Sequence, residues 1–343
     1  MDRITLGNEE FEGNNNAYVL AGDSADSDGN SLALVDTAIA TPDCRADLRE
    51  GLAERGYEFS DVDDIVLTHF HPDHSGLAGE IQAESDATVY VHEADAPLVA
   101  GDADALDNFD QQRRDCLEQW GLPEDARQEL LDVFEAASKI QGEPADVTPI
   151  EDGDVLEVGG RQLTTVHAPG HAAGLCWFES ENGPDSTSTE AFVGDTILPV
   201  YTPNIGGADV RVERPLEQYL ETLERLVERD YDRVWPGHRD PIEEPTKRAR
   251  TIAAHHRERT ENVLEVLADH GPADPWTVSA QLFGDLEGIH ILHGPGEAYA
   301  HLDHLSQEGV LNLEDGEYQL TVDVENIDLD AVLPSITSST STA

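Results

Sequence analysis

Short apolar runs, each stopped by Gly, Pro, Asp or Asn, alternate through the chain with longer amphipathic stretches. Residues 16–20 and 31–36 predict neighbouring strands around a polar turn at 23–30. A helix is predicted over 43–55, a short buried strand over 65–68, a helix over 76–84 and another strand over 88–92. Strands and helices in alternation imply a layered core that mixes sheet and helix.

Residues 96–145 break this rhythm with charged amphipathic segments at 107–120 and 124–139, which predict two helices. Inserted between strands, they would form either a lid or substrate wall, or a pair packed on the outside. The β pattern resumes at Val147: 154–158 and 162–167 form a hairpin about Gly159 and Gly160, with further strands at 174–180 and 191–195. A Gly, Pro and Ser-rich loop separates the last two at 181–190, and a helix over 215–229 and a strand over 233–235 follow. Past residue 250 three helices are predicted, over 260–270, 278–283 and 297–308, then a hairpin over 309–320 turning at 314–316. The pattern divides the chain into a first unit over 1–250 with a helical insert at about 96–145, a winged-helix-like unit over 251–325, and a disordered low-complexity tail over 335–343.

The chemistry is concentrated where the strand at 65–68 ends. His69, Phe70, His71, Pro72, Asp73 and His74 pack four potential metal ligands into six residues. Imidazole and carboxylate donors suit a divalent ion such as zinc, with iron or manganese as alternatives. Along an extended segment His69 and His71 point the same way, while the following turn redirects Asp73 and His74, which invites two adjacent ions. His171, Asp195 and His238 lie in other loops that follow apolar strand patterns, each preceded by a glycine that lets the backbone bend around an ion. Cys44, Cys116 and Cys176 are odd in number and widely spaced, so they indicate neither a disulfide framework nor a cysteine-based zinc site.

Charge changes the expected setting more than the expected fold. The formal net charge is −52, spread along the chain, and Lys139 and Lys247 are the only lysines beside eighteen arginines. This composition suits a salt-rich cytoplasm, where salt screens the repulsion among surface carboxylates. The melting temperature is therefore expected to be far higher in molar potassium chloride than in dilute buffer; equal melting would exclude salt adaptation. No apolar stretch approaches the roughly 18 to 20 residues of a membrane span and no basic-then-apolar leader opens the chain, so a cytoplasmic protein is expected.

HxHxDH at 69–74, PGH at 169–171, GDT at 194–196 and PGH at 236–238, in this order, resemble the metallo-β-lactamase superfamily of binuclear hydrolases over about residues 1–250. The resemblance implies an αββα sandwich with His69, His71 and His171 on one metal, Asp73, His74 and His238 on the other, and Asp195 bridging. It also implies that Asp73 steers or accepts a proton while the two cations activate a shared water. Asp73 followed by His74 is the arrangement of glyoxalase-II-like hydrolases, and no cysteine stands where β-lactamases proper place one. Asp195 to Pro199, Thr202 to Ile205, and the stretch from His255-His256-Arg257 to His301-Leu302 resemble a hydrolase group that carries a C-terminal winged helix. Arg239 departs from that group, which has Gly after the last ligand.

The leading expectation is a hydrolase of a small ester or thioester, similar to hydroxyacylglutathione hydrolase, with Tyr201, Asn204 and His255 on the substrate wall. A two-metal phosphodiesterase or ribonuclease is the alternative, but the arginines at 248–259 are diluted by acidic neighbours and give no basic track. A DNA-binding regulator with a metal site is a second alternative; its recognition helix at 297–308 would carry Glu297, Asp303 and Glu308 with Gln307 alone as a donor. The expected partner is a small molecule, with a homodimer as a further expectation and neither membrane nor nucleic acid favoured. His92, His167, His270, His290, His293 and His304 are expected to be structural or exposed.

Overall fold

The computed structural model describes residues 1–7, 13–23, 30–180, 189–333 and 336. Most of the turn at 23–30, most of the loop at 181–190, and the tail at 335–343 apart from Ile336 lie outside the described residues. Strands β1 (Asp2–Leu6), β2 (Asn15–Asp23), β3 (Asn30–Val35), β4 (Asp64–Val66), β5 (Thr88–His92) and β6 (Val147–Ile150) form one sheet in chain order. Its first three strands are antiparallel and the rest parallel. A second sheet runs β11 (Arg233–Pro236), β10 (Glu190–Gly194), β9 (Cys176–Ser180), β8 (Arg161–His167), β7 (Val155–Val158).

Strand alternation decides how the layers stack. Tyr18, Leu20, Ala33, Val35 and Val66 of the first sheet share one buried cluster with Leu163, Cys176, Phe178 and Phe192 of the second, so the sheets lie face to face. The intervening residues Ala17, Val19, Leu32 and Leu34 point the other way, onto Leu48 and Leu52 of α1 (Pro42–Ala53). Two short helices, α2 (Pro72–Ser75) and α3 (Ala78–Ser85), follow β4, and α3 adds Ile81 to that outer layer. The expected αββα sandwich is thus the observed one. Thr41 starts α1 by accepting the Cys44 N–H on its hydroxyl at 3.3 Å, with Pro42 at the first helical position.

Helices α4 (Ala96–Val99), α5 (Ala103–Gln119) and α6 (Glu124–Ala137) fill the interval between β5 and β6. Leu117, Trp120, Leu122 and Leu130 pack against Ile291 and Leu292 near the other end of the chain. Helix α7 (Pro215–Arg229) turns Leu216, Tyr219, Leu223, Leu226 and Val227 toward the free face of the second sheet, covering Val166, Trp177, Ala191, Val193 and Val234.

Four further elements complete the chain: α8 (Pro245–His270), α9 (Pro275–Phe283), α10 (His290–Gln307) and the hairpin β12 (Leu311–Glu314) with β13 (Glu317–Leu320). Two of these helices begin well before the predicted positions. Helix α8 starts fifteen residues earlier than residue 260 and crosses residue 250 without interruption. Helix α10 continues through Gly294-Pro295-Gly296, which the sequence pattern treats as a break. A Cβ on Gly296 would stand 2.3 Å from the Gly207 backbone, so these glycines admit a close contact that a larger residue would block. Val263, Leu264, Leu302, Leu305 and Tyr318 of these elements lie in the same core as α7 and the second sheet. None of the described helices is long and apolar enough to cross a membrane.

Candidate metal centre

The six-residue cluster leaves the end of β4 extended and then turns into α2 at Pro72, so His69 and His71 precede the turn and Asp73 and His74 follow it. The other sheet contributes from the ends of its strands: His171 beyond β8, Asp195 just past β10 and His238 just past β11. All seven side chains converge, in the overlapping groups His69-His71-His171, His69-His74-Asp195 and Asp73-His74-His238. His69 Nε2 lies 2.9 Å from His71 Nδ1, which is 3.2 Å from His171 Nε2. Asp195 reaches His171 at 3.8 Å and His238 at 3.4 Å through Oδ2, and His74 at 3.6 Å through Oδ1. Asp73 Oδ2 is 3.3 Å from His238 and 3.8 Å from His74.

Each imidazole is anchored by its outer nitrogen. His71 Nε2 faces the Ala208 carbonyl at 3.0 Å, His171 Nδ1 the Asn204 carbonyl at 2.8 Å, and His238 Nδ1 the Gly13 carbonyl at 3.2 Å. A carbonyl accepts only, so these outer nitrogens carry a proton and the inner ones are turned into the cluster, where an ion would take the place of a second proton. Asp36, at the end of β3, does the same for two more rings. Its carboxylate accepts from His74 Nδ1 at 2.8 Å and from the Thr68 hydroxyl at 2.9 Å, and that hydroxyl is 3.1 Å from His69 Nδ1.

The charges left inside the cluster call for a cation. Burial and the neighbouring His171 push His71 down to about 4, so it is a neutral donor at neutral pH. Burial opposes charge on His238, yet Asp195 and Asp73 outweigh it and raise the ring to about 10. His74 is raised likewise by Asp195, Asp73 and Asp36 against burial. Asp73 and Asp195 are held well below the usual carboxylate range against burial, by His74 and His238. His74 Nε2, His238 Nε2 and Asp195 Oδ1 are buried without a hydrogen-bond partner among the described residues. Buried orphans around two carboxylates fit divalent ions with nitrogen and oxygen ligands. No cysteine belongs to these groups, and Cys44 and Cys176 are buried free thiols elsewhere.

Packing keeps this edge tight. A Cβ on Gly237 would stand 2.4 Å from His74 Cε1 and 2.6 Å from Asp195 Oδ1, so only glycine fits before His238. Arg239 then takes a left-handed backbone at φ 63°, the conformation that the expected glycine would have taken. Its carbonyl accepts from Arg3 Nη1 and Asn16 Nδ2, both at 2.7 Å, which holds the turn.

Several residues of the centre are silent in the sequence pattern. Asp36 is one, and an Asp36→Asn variant is expected to weaken metal retention about 10- to 100-fold, because Oδ2 accepts from His74 and the Thr68 hydroxyl while Oδ1 accepts the Thr68 N–H, so an amide NH2 would face a donor at either position. Competition with a chromophoric chelator measures this; unchanged affinity would remove Asp36 from the role. A buried trio is another. Arg211 bonds Asp95 Oδ1 and Asp209 Oδ2, each at 2.7 Å. Asp95 in turn accepts the Phe70 N–H at 3.0 Å and Asp209 the Ala173 N–H at 2.8 Å, so the trio pins the loops of His71 and His171.

A cavity of about 980 Å³ opens on the cluster. His71, Asp73, His171 and Asp195 line it together with Phe70, Leu106, Phe109, Leu131, Phe134 and Leu292, which bring α5, α6 and α10 into its wall. Tyr201 and Asn204 line it as well, Tyr201 being 48% exposed with the Arg239 guanidinium 4.7 Å from its ring centre. Asn204 Nδ2 is engaged with the His293 carbonyl at 3.0 Å. His255 is not among the lining residues; its Nε2 lies 3.3 Å from Arg259 Nη2 on the same helix.

Comparison with known proteins adds the relatives. Residues 11–238 match the family described as the metallo-beta-lactamase superfamily. The chain is 28% identical to the probable metallo-hydrolase YqjP of Bacillus subtilis over 82% of its own length and 86% of the relative's. It is 30% identical to the acyl-coenzyme A thioesterase MBLAC2 of Bos taurus, over half of its own length and 54% of that protein. In structure it is similar to the metallo-beta-lactamase family protein TTHA1429 from Thermus thermophilus, with a TM-score of 0.78, 30% identity, and coverage of 93% of this chain and 98% of the other.

Proposed function

Since the chain belongs to the metallo-β-lactamase superfamily, a family of metal-dependent hydrolases, we propose that it cleaves a thioester whose acyl part is apolar. One observation carries this reading: the inward-facing donors stand at a cavity with an apolar stretch of wall formed by Phe70, Leu106, Phe109, Leu131, Phe134 and Leu292, while Arg113, Arg114 and Arg239 also line it. The apolar stretch favours a hydrocarbon chain by burial, and the arginines offer charge to an anionic carrier group. The likeness to an acyl-coenzyme A thioesterase supports the same bond type. A hydroxyacylglutathione-like substrate fits the Asp73-His74 pair but uses less of the apolar wall.

We assign His69, His71 and His171 to one ion, Asp73, His74 and His238 to the other, and Asp195 to both. Zinc suits this donor set, with iron or manganese as substitutes. Two divalent ions at such a site supply an activated water and polarise the acyl oxygen. Asp73 steers the attacking group and takes up its proton, with Asn15 Nδ2 steadying its carboxylate at 3.4 Å. Phe70 and Phe109, edge to face at 5.5 Å, exclude water beside the bond to be cut. Tyr201 and Arg239 contact the carrier half of the substrate at the rim.

Residues 251–325 read as a winged-helix-like unit that supports the cavity. Its third helix, α10, buries Glu297, Ala298, His301, Leu302 and Leu305, which leaves little surface for a DNA groove. The test is a screen of metal-reconstituted protein against acyl thioesters of graded chain length, lactones, phosphodiesters and RNA, in high salt. Hydrolysis of acyl thioesters is expected, rising with chain length. Cleavage of RNA with every acyl substrate inert would overturn the reading.

A further inference from the structure

His256 and His301, singled out within the C-terminal motif, meet outside the set of residues that line the cavity. His256 comes from the middle of α8 and His301 from α10, one turn beyond Glu297 on the same helix. His256 and His301 are fully buried and Glu297 is 6% exposed. His256 Nδ1 lies 3.3 Å from His301 Nε2, and each is 3.7 Å from Glu297 Oε1. We infer that these three atoms hold a third divalent ion, separate from the catalytic pair, which clamps α8 to α10.

The spacing is that of a ligand set. In a triangle with sides of 3.3, 3.7 and 3.7 Å the point equidistant from all three corners lies about 2.1 Å from each, from the product of the sides divided by four times the area. Zinc bonds to imidazole nitrogen and carboxylate oxygen at roughly 2.0 to 2.2 Å. The outer atoms are arranged to present the inner ones. Thr260 donates its hydroxyl to the His256 carbonyl at 3.0 Å, so its lone pair accepts from His301 Nδ1 at 2.7 Å and His301 Nε2 is left bare. Glu297 Oε2 accepts from Asn204 Nδ2 at 3.3 Å and the Ile205 N–H at 3.4 Å, which turns Oε1 toward the rings. The nearest fixed positive charge is Arg259, whose Nη1 is 4.0 Å from Oε1, beyond hydrogen-bond reach. A carboxylate this deep, with Arg259 near it but not hydrogen-bonded to Oε1, still leaves Oε1 and the two ring nitrogens facing one another, an arrangement that a divalent ion would complete.

The position gives the ion a structural role. Asn204, which bonds Glu297 through its side chain, supplies the backbone carbonyl that orients His171, so the clamp steadies one catalytic ligand from behind. Complete burial also means that the ion enters during folding and survives dialysis.

The test uses the full chain with the catalytic donors broken by His71→Ala and His238→Ala, folded in the presence of zinc and then dialysed against a chelator. One ion per chain is expected by plasma mass spectrometry, falling to none when Glu297→Gln is added. Wild type saturated with zinc should hold three. No ion in the double variant, or an ion kept after Glu297→Gln, would overturn the site. Should Glu297→Gln fail to fold, cobalt substitution of the double variant decides: visible d–d bands report the site, and their absence refutes it. The count in the double variant does not depend on which substrate the catalytic centre cleaves.

Discussion

Replacing Asp195 by alanine is expected to abolish hydrolysis, by more than about 100-fold, and to lower the bound metal in the same step. The bound comes from the effect of losing an outer partner of a metal ligand, about 10- to 100-fold, which a shared inner ligand should exceed. Asp195 is the carboxylate proposed to serve both donor sets, with Oδ2 near His171 and His238 and Oδ1 near His74. Its removal leaves three buried rings facing an emptied space, and two ions would then repel each other without the negative charge between them. Metal content and turnover should fall together, while circular dichroism of the folded chain stays close to wild type. Asp195→Asn keeps the shape and loses the charge, so it should behave like the alanine variant if charge is what matters. A metal-free Asp195→Ala protein with full activity would end the two-ion account.

The candidate ligands are legible in the sequence because each is local. HxHxDH, the two PGH loops and GDT are contiguous strings, and strand-end loops converge on one sheet edge wherever strands run parallel. The uninterrupted apolar runs in β2, β3 and β10 likewise mark strands that are buried on both faces. The residues that orient those ligands are hidden for the opposite reason. Asp36 acts on His74 across 38 positions and Arg211 on Asp95 across 116, so neither leaves a spacing to recognise. In a chain with 72 acidic residues a single functional aspartate carries no compositional signal either. Helix α10 reads short because Pro295 and its flanking glycines mark a break locally, whereas the contact with Gly207 that uses them lies nearly ninety residues away. His255 is drawn to the substrate wall by its place in a motif; the neighbouring turn of α8 instead directs it to Arg259.

Arg211→Met tests how far the fold invests in holding the ligand loops. The arginine side chain is 15% exposed and both of its aspartate partners are fully buried, so solvent screens the trio little. Asp209 is held below the usual carboxylate range, Arg211 outweighing its burial, and Arg211 is raised in return by Asp95 and Asp209. Removing the cation from such a group leaves uncompensated buried charge and costs about 3 to 5 kcal/mol. Stability should therefore drop by that amount in urea unfolding at fixed high salt, with metal bound throughout. Methionine keeps much of the length of the arginine stem, so lost packing is a minor part of the change. Neutralising the partners as well, with Asp95→Asn and Asp209→Asn, should recover part of the loss, because the amides still accept from Phe70 and Ala173 without a stranded charge. The single variant should also bind metal more weakly, since the loops that carry His71 and His171 lose their common anchor. An Arg211→Met chain as stable as wild type, with unchanged metal affinity, would show that the backbone alone fixes those loops.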